Sequence, residues 1–214
     1  MIAFLSVISL RRFEGFQEAI DRKEIPGIEM PEITFPEFNL DELAPVTSLT
    51  PEQIKENYKI FISPNQALKI KYPANWQTID NRFLEQANQR IEEYNLTQGR
   101  LLFFAYEVRL AEHPPVLIVQ ELSKEKELEE IIGQVKGAVE KEGGKLTILK
   151  RETKNRVDYF EARHERENHV VYLKGGLAST KERNYLIMIL VSSQLKEGTA
   201  PQTDFILNSI QLLE

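Results

Sequence analysis

Two of the three histidines stand close together, on either side of a short polar segment. His164 and His169 flank residues 165–168, a predicted hairpin loop, which can bring both imidazoles together across the ends of two strands. With Glu165 or Glu167 they would supply two nitrogen ligands and one carboxylate, a set that binds divalent transition metals. The alternative is that these side chains form only the exposed polar tip of a hairpin.

The sequence carries no other recognisable catalytic or cofactor motif. It lacks the glycine-rich phosphate-binding loops, the H-E-x-x-H zinc motif and the G-x-S-x-G nucleophile motif. It has no cysteine, which excludes disulfides, thiolate metal sites and a cysteine nucleophile. We therefore expect no cofactor and no catalytic residue and predict that the protein is not an enzyme. An enzyme of unrecognised type remains an alternative.

Basic side chains concentrate around a predicted turn at residues 153–155. They are Lys145, Lys150, Arg151, Lys154 and Arg156. Such a cluster favours contact with an acidic protein partner, or with an acidic segment of the same chain. The alternative is a solvated hairpin surface. We take Lys150, Arg151, Lys154 and Arg156 as candidate partner-binding residues.

The charge of the chain is unevenly distributed. The 214 residues are 42% hydrophobic and carry a net charge of −6, which argues for a folded protein and against a general nucleic-acid binder. Residues 1–57 hold 5 basic and 11 acidic residues, whereas residues 58–214 hold 22 of each. This change in composition predicts an appended arm followed by a packed domain over 58–214.

The arm begins with an apolar segment. Residues 2–10 are apolar and Arg11-Arg12 follow at once, but nine residues are too few to cross a bilayer. We interpret residues 1–24 as an N-terminal helix that is the remnant of a longer membrane anchor beginning upstream. Two alternatives are an amphipathic helix lying on a membrane or partner, and a helix packed on the body of the protein.

Residues 25–57 form a proline-rich, acidic strap and a short helix. Three pentads, IPGIE, MPEIT and FPEFN, repeat from residue 25, and their prolines impose an extended, non-helical backbone. A plain spacer does not need large apolar side chains, so Met30, Phe35 and Phe38 are candidate partner-binding residues. The alternative is that the strap wraps on its own domain, which a high effective concentration favours.

Periodicity predicts a mixed α+β domain after the arm. The predicted strands cover 58–63, 67–72, 101–110, 116–122, 145–152, 156–164, 169–178 and 184–193. The predicted helices run from Asp80 to about Gly99, over 125–142 before Gly143-Gly144, and from Thr203 to the end. Gly175-Gly176, inside a strand, indicate a bulge or a close backbone approach.

One strand decides the predicted architecture. Residues 185–191, YLIMILV, are apolar on both alternating faces, so this strand must lie between two covering layers. The short links between 145 and 193 require antiparallel neighbours. We predict a largely antiparallel sheet sandwiched between helices.

The stretch from Leu68 to Trp76, LKIKYPANW, resembles the opening hairpin of the PsbP-like family, in which a strand ends in Tyr-Pro and a Trp follows. Tyr72, Pro73 and Trp76 carry this signature, and residues 204–210 look like the family's final helix. The resemblance implies the Mog/PsbP α/β/α sandwich for residues 58–214. This fold is shared by extrinsic photosystem II proteins, a Ran-binding nuclear import factor and bacterial envelope proteins. Most of them are binding or assembly modules without catalysis.

Our leading hypothesis is a non-catalytic protein-interaction or assembly module of PsbP-like fold, tethered through its arm to a protein partner or larger assembly, with a membrane surface as one setting. The alternative is an envelope protein that binds a small ligand or a metal ion. The resemblance implies a prokaryotic, membrane-associated protein of the cell envelope, on the extracytoplasmic side. A cytoplasmic location is the alternative.

Overall fold

The computed structural model describes residues 51–93, 99–107, 114–141, 143–167 and 169–213. The predicted N-terminal helix and the pentad repeats lie outside these residues. The helices are α1 (Pro51–Glu56), α2 (Asn81–Glu93), α3 (Leu128–Lys141) and α4 (Lys196–Asn208). The strands are β1 (Tyr58–Ile62), β2 (Leu68–Pro73), β3 (Trp76–Thr78), β4 (Gly99–Glu107), β5 (Val116–Ser123), β6 (Lys145–Lys154), β7 (Val157–Arg166), β8 (His169–Ser179), β9 (Arg183–Ser192) and β10 (Gln211–Leu212).

Seven strands form one large sheet in the order β3-β4-β5-β9-β8-β7-β6, with every neighbouring pair antiparallel. Strand β9 lies between β5 and β8, and all of its residues from Asn184 to Val191 are buried. This confirms the predicted burial of both faces of the strand, because a strand with one solvent-exposed face would expose every second residue.

Helices α2 and α3 cover one face of the large sheet. Their apolar side chains pack on the even-numbered residues of β9, Leu186, Met188 and Leu190. The contributing helix residues are Leu84 and Ala87 of α2, and Leu128, Ile131, Ile132 and Val135 of α3. Spacing of three and four residues places these side chains on one helical stripe, as predicted.

A mixed layer covers the other face. Leu68, Ile70 and Tyr72 of β2 and Ile206 of α4 pack on the odd-numbered residues of β9, from Tyr185 to Val191. Strand β2 belongs to a second sheet of order β1-β2-β10. The sheet is therefore sandwiched as predicted, but the second cover combines three short strands with one helix. Helix α1 contacts α4, and its Ile54 is completely buried.

The last helix begins earlier than predicted. We expected Thr203 to cap it, but α4 starts at Lys196 and accommodates Pro201 in its first turns. The Thr203 hydroxyl donates a hydrogen bond to the carbonyl of Ala200, inside the helix. The chain then leaves the helix at Ser209, and β10 pairs with β2. A threonine before an apolar helical stripe is typical of an N-cap, but here a 3₁₀ turn at Ser193–Leu195 already leads into the helix.

Two predicted chain features, the Asp80 cap and the Gly143 helix exit, are present in the structure, and the predicted hairpin turn is displaced. The backbone N–H and the side chain of Arg82 bond to the Asp80 carboxylate at the start of α2, and they lower the pKa of that carboxyl. Gly143 leaves α3 with a φ of 77°. The turn between β6 and β7 lies at Asn155 and Arg156, both with positive φ, and not at 153–155.

Gly175 marks a close approach and not a bulge, because β8 keeps continuous register with both neighbours. A Cβ at Gly175 would lie 2.4 Å from the carbonyl oxygen of Ile187 and 2.7 Å from the ring of Phe160. We expect Gly175→Ala to lower the free energy of unfolding by about 2 kcal/mol, since backbone cannot move aside. Chemical denaturation measures the change.

Gly133→Ala in α3 is the matched control for Gly175→Ala. No atom lies within 4 Å of a Cβ built at Gly133. Alanine favours the helix over glycine, so this variant should be more stable by about 0.5–1 kcal/mol. Equal effects of the two substitutions would contradict the packing described for Gly175.

The side chain of Asn88 in α2 forms hydrogen bonds with the backbone of Leu101 in β4. These bonds lie where β4 shifts register against β5, between Leu101 and Phe103. Its side-chain nitrogen donates to the carbonyl of Leu101 at 2.9 Å, and its oxygen accepts from the Leu101 N–H at 2.7 Å. Asn88→Ala leaves both buried groups without this partner, so we expect a loss of about 2–3 kcal/mol in denaturant titration. The exposed neighbour Gln89→Ala should change stability by less than about 0.5 kcal/mol.

Candidate interaction surface

Strand β1 turns three large apolar side chains to solvent. Tyr58, Ile60 and Ile62 are 37%, 46% and 49% exposed. Phe61, between two of them, points inward and stacks on Phe103 of the large sheet with ring centroids 4.5 Å apart. Because side chains alternate along a strand, this inward Phe61 fixes its neighbours Ile60 and Ile62 on the outside.

Strand β2 places two lysines among these apolar side chains. In the antiparallel register, Lys71 is opposite Ile60 and Lys69 is opposite Ile62, so they share the outward face. The ammonium of Lys71 lies 4.4 Å from the centre of the Tyr58 ring, at cation–π distance. The outward side of this small sheet is therefore both apolar and positively charged.

Leu213 completes this surface from the other edge. It is 45% exposed, and its N–H bonds to the carbonyl of Ala67 next to β2. We call the surface formed by Tyr58, Ile60, Ile62, Lys69, Lys71 and Leu213 the outer sheet face. Among the described residues, the exposed large hydrophobics are these four apolar side chains together with Phe83 and Leu149. An apolar cluster on one face is typical of a contact surface.

Hydrogen bonds hold the small sheet firmly on the body of the domain. The Tyr185 hydroxyl of β9 and the Asn65 side chain bond to each other, with 2.8 Å between the hydroxyl and Oδ1. The Ser209 hydroxyl bonds to the backbone N–H and carbonyl of Lys71. The Lys59 ammonium donates to the carbonyl of Trp76 at 3.0 Å. The outer sheet face is therefore preorganised.

The predicted basic cluster lies on the hairpin of β6 and β7, where its side chains are exposed. Lys150 pairs with Glu152 at 2.8 Å, and this hydrogen bond raises the pKa of Lys150. Arg151 pairs with Glu129 of α3. Lys150 and Arg151 thus pair with carboxylates of the same chain, and Lys154 and Arg156 lie at the hairpin end.

An open cleft lies beside that hairpin end. Its volume is about 420 Å³, and its lining residues are Lys124, Thr153, Arg156, Asp158, Ser179, Thr180 and Lys181. Several of its polar groups bond to one another. Lys124 donates to the carbonyl of Thr180, and the Thr153 hydroxyl donates to Asp158 at 2.7 Å.

The two histidines lie on neighbouring strands, β7 and β8. His164 of β7 is opposite Val171, and His169 of β8 is opposite Arg166. Glu165 follows His164 directly, so it projects from the other side of the sheet, where it pairs with Arg163 at 2.8 Å. In the part of the chain that the structure describes, no group of three or more His, Asp or Glu side chains is arranged to hold a metal ion.

Tyr72 and Trp76 of the Tyr-Pro-Trp signature lie in the core between the two sheets. Trp76 is completely buried, and Tyr72 lies with its ring centroid 5.1 Å from that of Phe103. Burial raises the pKa of the Tyr72 hydroxyl. Pro73 is the last residue of β2.

One buried polar pair was not predicted. Glu107 at the end of β4 and Gln202 of α4 are each 1% exposed, and the Gln202 amide donates to the Glu107 carboxylate at 3.0 Å. The pair joins α4 to the large sheet next to Trp76, which is opposite Glu107 in the ladder. The sequence alone does not reveal this role, because no local pattern distinguishes a buried glutamate at a strand end from an exposed one.

No helix of the described segments has the length and apolarity needed to cross a bilayer. No family model matches the sequence, and no curated protein matches it by sequence similarity. Solved structures do match. The solution structure of cyanobacterial PsbP (CyanoP) from Synechocystis sp. PCC 6803 is similar over 73% of this chain and 92% of its own, with 10% identity and a TM-score of 0.52.

Two further structures are similar at lower scores. The crystal structure of LpqN, involved in cell envelope biogenesis of Mycobacterium tuberculosis, matches 74% of this chain and 94% of its own, with 9% identity and a TM-score of 0.45. A crystal structure from Bacteroides thetaiotaomicron matches 73% of this chain and 48% of its own, with 13% identity and a TM-score of 0.43. The likeness to CyanoP confirms the predicted architecture: the chain has a PsbP-like fold.

Proposed function

We propose that this protein is a non-catalytic interaction module that binds a protein partner through its outer sheet face. The partner would present an extended segment that is both apolar and acidic. The observation that carries this proposal is the cluster of Tyr58, Ile60, Ile62 and Leu213 in solvent, on a small sheet that is rigidly attached to the domain.

The chemistry of the face defines the partner. Covering the exposed half of one isoleucine side chain contributes about 1 kcal/mol, so the four apolar side chains together supply a useful share of a binding free energy. Lys69 and Lys71 stand among them, opposite Ile62 and Ile60 in the ladder. Carboxylates of the partner would pair with these cations, which favours acidic over basic segments.

The arm is the tether in this proposal. Residues 2–10 are apolar and precede Arg11-Arg12, which supports attachment to a membrane or a larger assembly. We place the domain in the cell envelope, on the extracytoplasmic side. The hairpin cations Lys150, Arg151, Lys154 and Arg156 are proposed as a separate contact surface for an acidic protein, outside the contact made by the outer sheet face.

Ile60→Asp in the full chain tests the proposal. An aspartate in the middle of the outer sheet face would place a charge against apolar groups and oppose an acidic partner. We expect chemical crosslinking in an extract of the source cells to capture a defined partner with the unmodified chain. The yield of the crosslinked partner should fall at least about tenfold with Ile60→Asp, which corresponds to a loss of about 1.4 kcal/mol in binding free energy.

Leu149→Asp is the matched control. Leu149 is 48% exposed and lies on β6, an edge strand like β1, but in the other sheet. This variant should capture the partner as well as the unmodified chain, and thermal melting should show that both variants fold. Capture that is unchanged by Ile60→Asp, or equally reduced by Leu149→Asp, would refute the outer sheet face as the binding site.

A further inference from the structure

We infer that residues 25–38 of the same chain lie across the outer sheet face when no partner is bound. This inference rests on the proposed function, since it names the first occupant of the proposed binding face. The arm would then act as an internal competitor that a partner has to displace.

Residues 25–38, the part of the strap that holds the pentad repeats, have the chemistry that the outer sheet face requires of a partner. They carry six large apolar side chains, Ile25, Ile28, Met30, Ile33, Phe35 and Phe38. Between them stand Glu29, Glu32 and Glu37, with no lysine or arginine from residue 25 to residue 38. The apolar residues match Tyr58, Ile60 and Ile62, and the glutamates match Lys69 and Lys71.

The spacing of the strap keeps its apolar groups on one side. The six apolar residues recur at alternating intervals of three and two residues, so their mean spacing is about 2.5 residues. This spacing lies between the repeat of a β-strand, two residues, and that of a polyproline II helix, three residues. An extended backbone with this period would carry all six side chains as one stripe. Such a stripe can follow the row formed by Tyr58, Ile60 and Ile62.

The prolines favour the face of the sheet over its edge. Strand β1 is an edge strand of its sheet, where a peptide can add as a further strand. Proline recurs every five residues in the strap, at Pro26, Pro31 and Pro36. Because five is odd, successive prolines would alternately fall on the hydrogen-bonding side, and each such proline removes a ladder bond. Docking by side chains avoids this loss.

The attachment point makes intramolecular docking easy. Helix α1 is fixed on α4 by the buried Ile54, and β1 begins at Tyr58 directly after it. The 13 residues from Phe38 to Pro51 can span up to about 40 Å, which exceeds the radius of a domain of this size. A short connection of this kind gives an effective concentration on the order of millimolar, so weak contacts suffice.

Disulfide trapping tests the inference, because the chain contains no native cysteine. Phe35→Cys is combined with Ile60→Cys in one full chain, and with Leu149→Cys in the control. The two thiols are oxidised to a disulfide while oxidised glutathione is reduced to two thiols. We expect the Ile60 pair to close within one chain at least about tenfold faster than the Leu149 pair, as resolved on a non-reducing gel.

Two companion variants make the test decisive. Ile62→Cys replaces Ile60→Cys as a second position on the face, and Glu32→Lys with Glu37→Lys should slow closure by removing the pairing with Lys69 and Lys71. Closure no faster at either Ile60 or Ile62 than at Leu149 overturns the inference. A disulfide-linked dimer as the main product also overturns it, because the strap would then belong to a second copy.

The outcome is separable from that of the proposed function. Slow trapping together with partner capture that depends on Ile60 would remove only the internal competitor. Fast trapping together with capture that does not depend on Ile60 would remove the partner-binding role of the face and leave the strap in place.

Discussion

The two-sided burial of β9 is the constraint on which the rest of this structure depends. Its even-numbered side chains need one covering layer and its odd-numbered side chains need another. Backbone groups of a buried strand must also be bonded on both edges, which β5 and β8 provide. A strand of this composition is stable only inside a three-layer domain, and the remaining elements supply those layers.

The two covers have different consequences for the surface. Helices α2 and α3 bury one stripe and turn charged residues outward, as amphipathic helices do. The small sheet has a period of two, so each inward side chain is followed by an outward one. Burying Phe61 and Ile70 leaves Ile60, Ile62 and Lys71 outside. Polar residues would serve the fold equally well at positions 60 and 62, so the apolar character of Ile60 and Ile62 is not explained by the packing of the domain.

The sequence was sufficient for the central part of the fold. The doubly apolar run 185–191, the Asp80 cap and the Gly143 exit each have a local physical signature, and the structure contains all three. The predicted start of α4 at Thr203 is wrong, because a threonine before an apolar helical stripe is typical of an N-cap whereas the helix already begins at Lys196. The Asn88 and Gln202 hydrogen bonds join residues far apart in the chain, so no local pattern could reveal them.

The candidate site was harder to predict. Strand β1 carries apolar residues on both faces, and only the tertiary structure shows which face is covered. The predicted arm residues Met30, Phe35 and Phe38 lie outside the described residues and remain predictions. Of the two carboxylates predicted for the histidine site, Glu165 lies on the opposite side of the strand from His164, a consequence of register that the loop sequence does not define.

Residue-resolved hydrogen exchange tests the central claim most directly. If β9 is enclosed by two layers, the amides from Tyr185 to Val191 should exchange only through global unfolding, with an opening free energy equal to that from denaturant titration. The amides of β1 should open at lower free energy. Exchange of the β9 amides as fast as those of β1 would contradict the account.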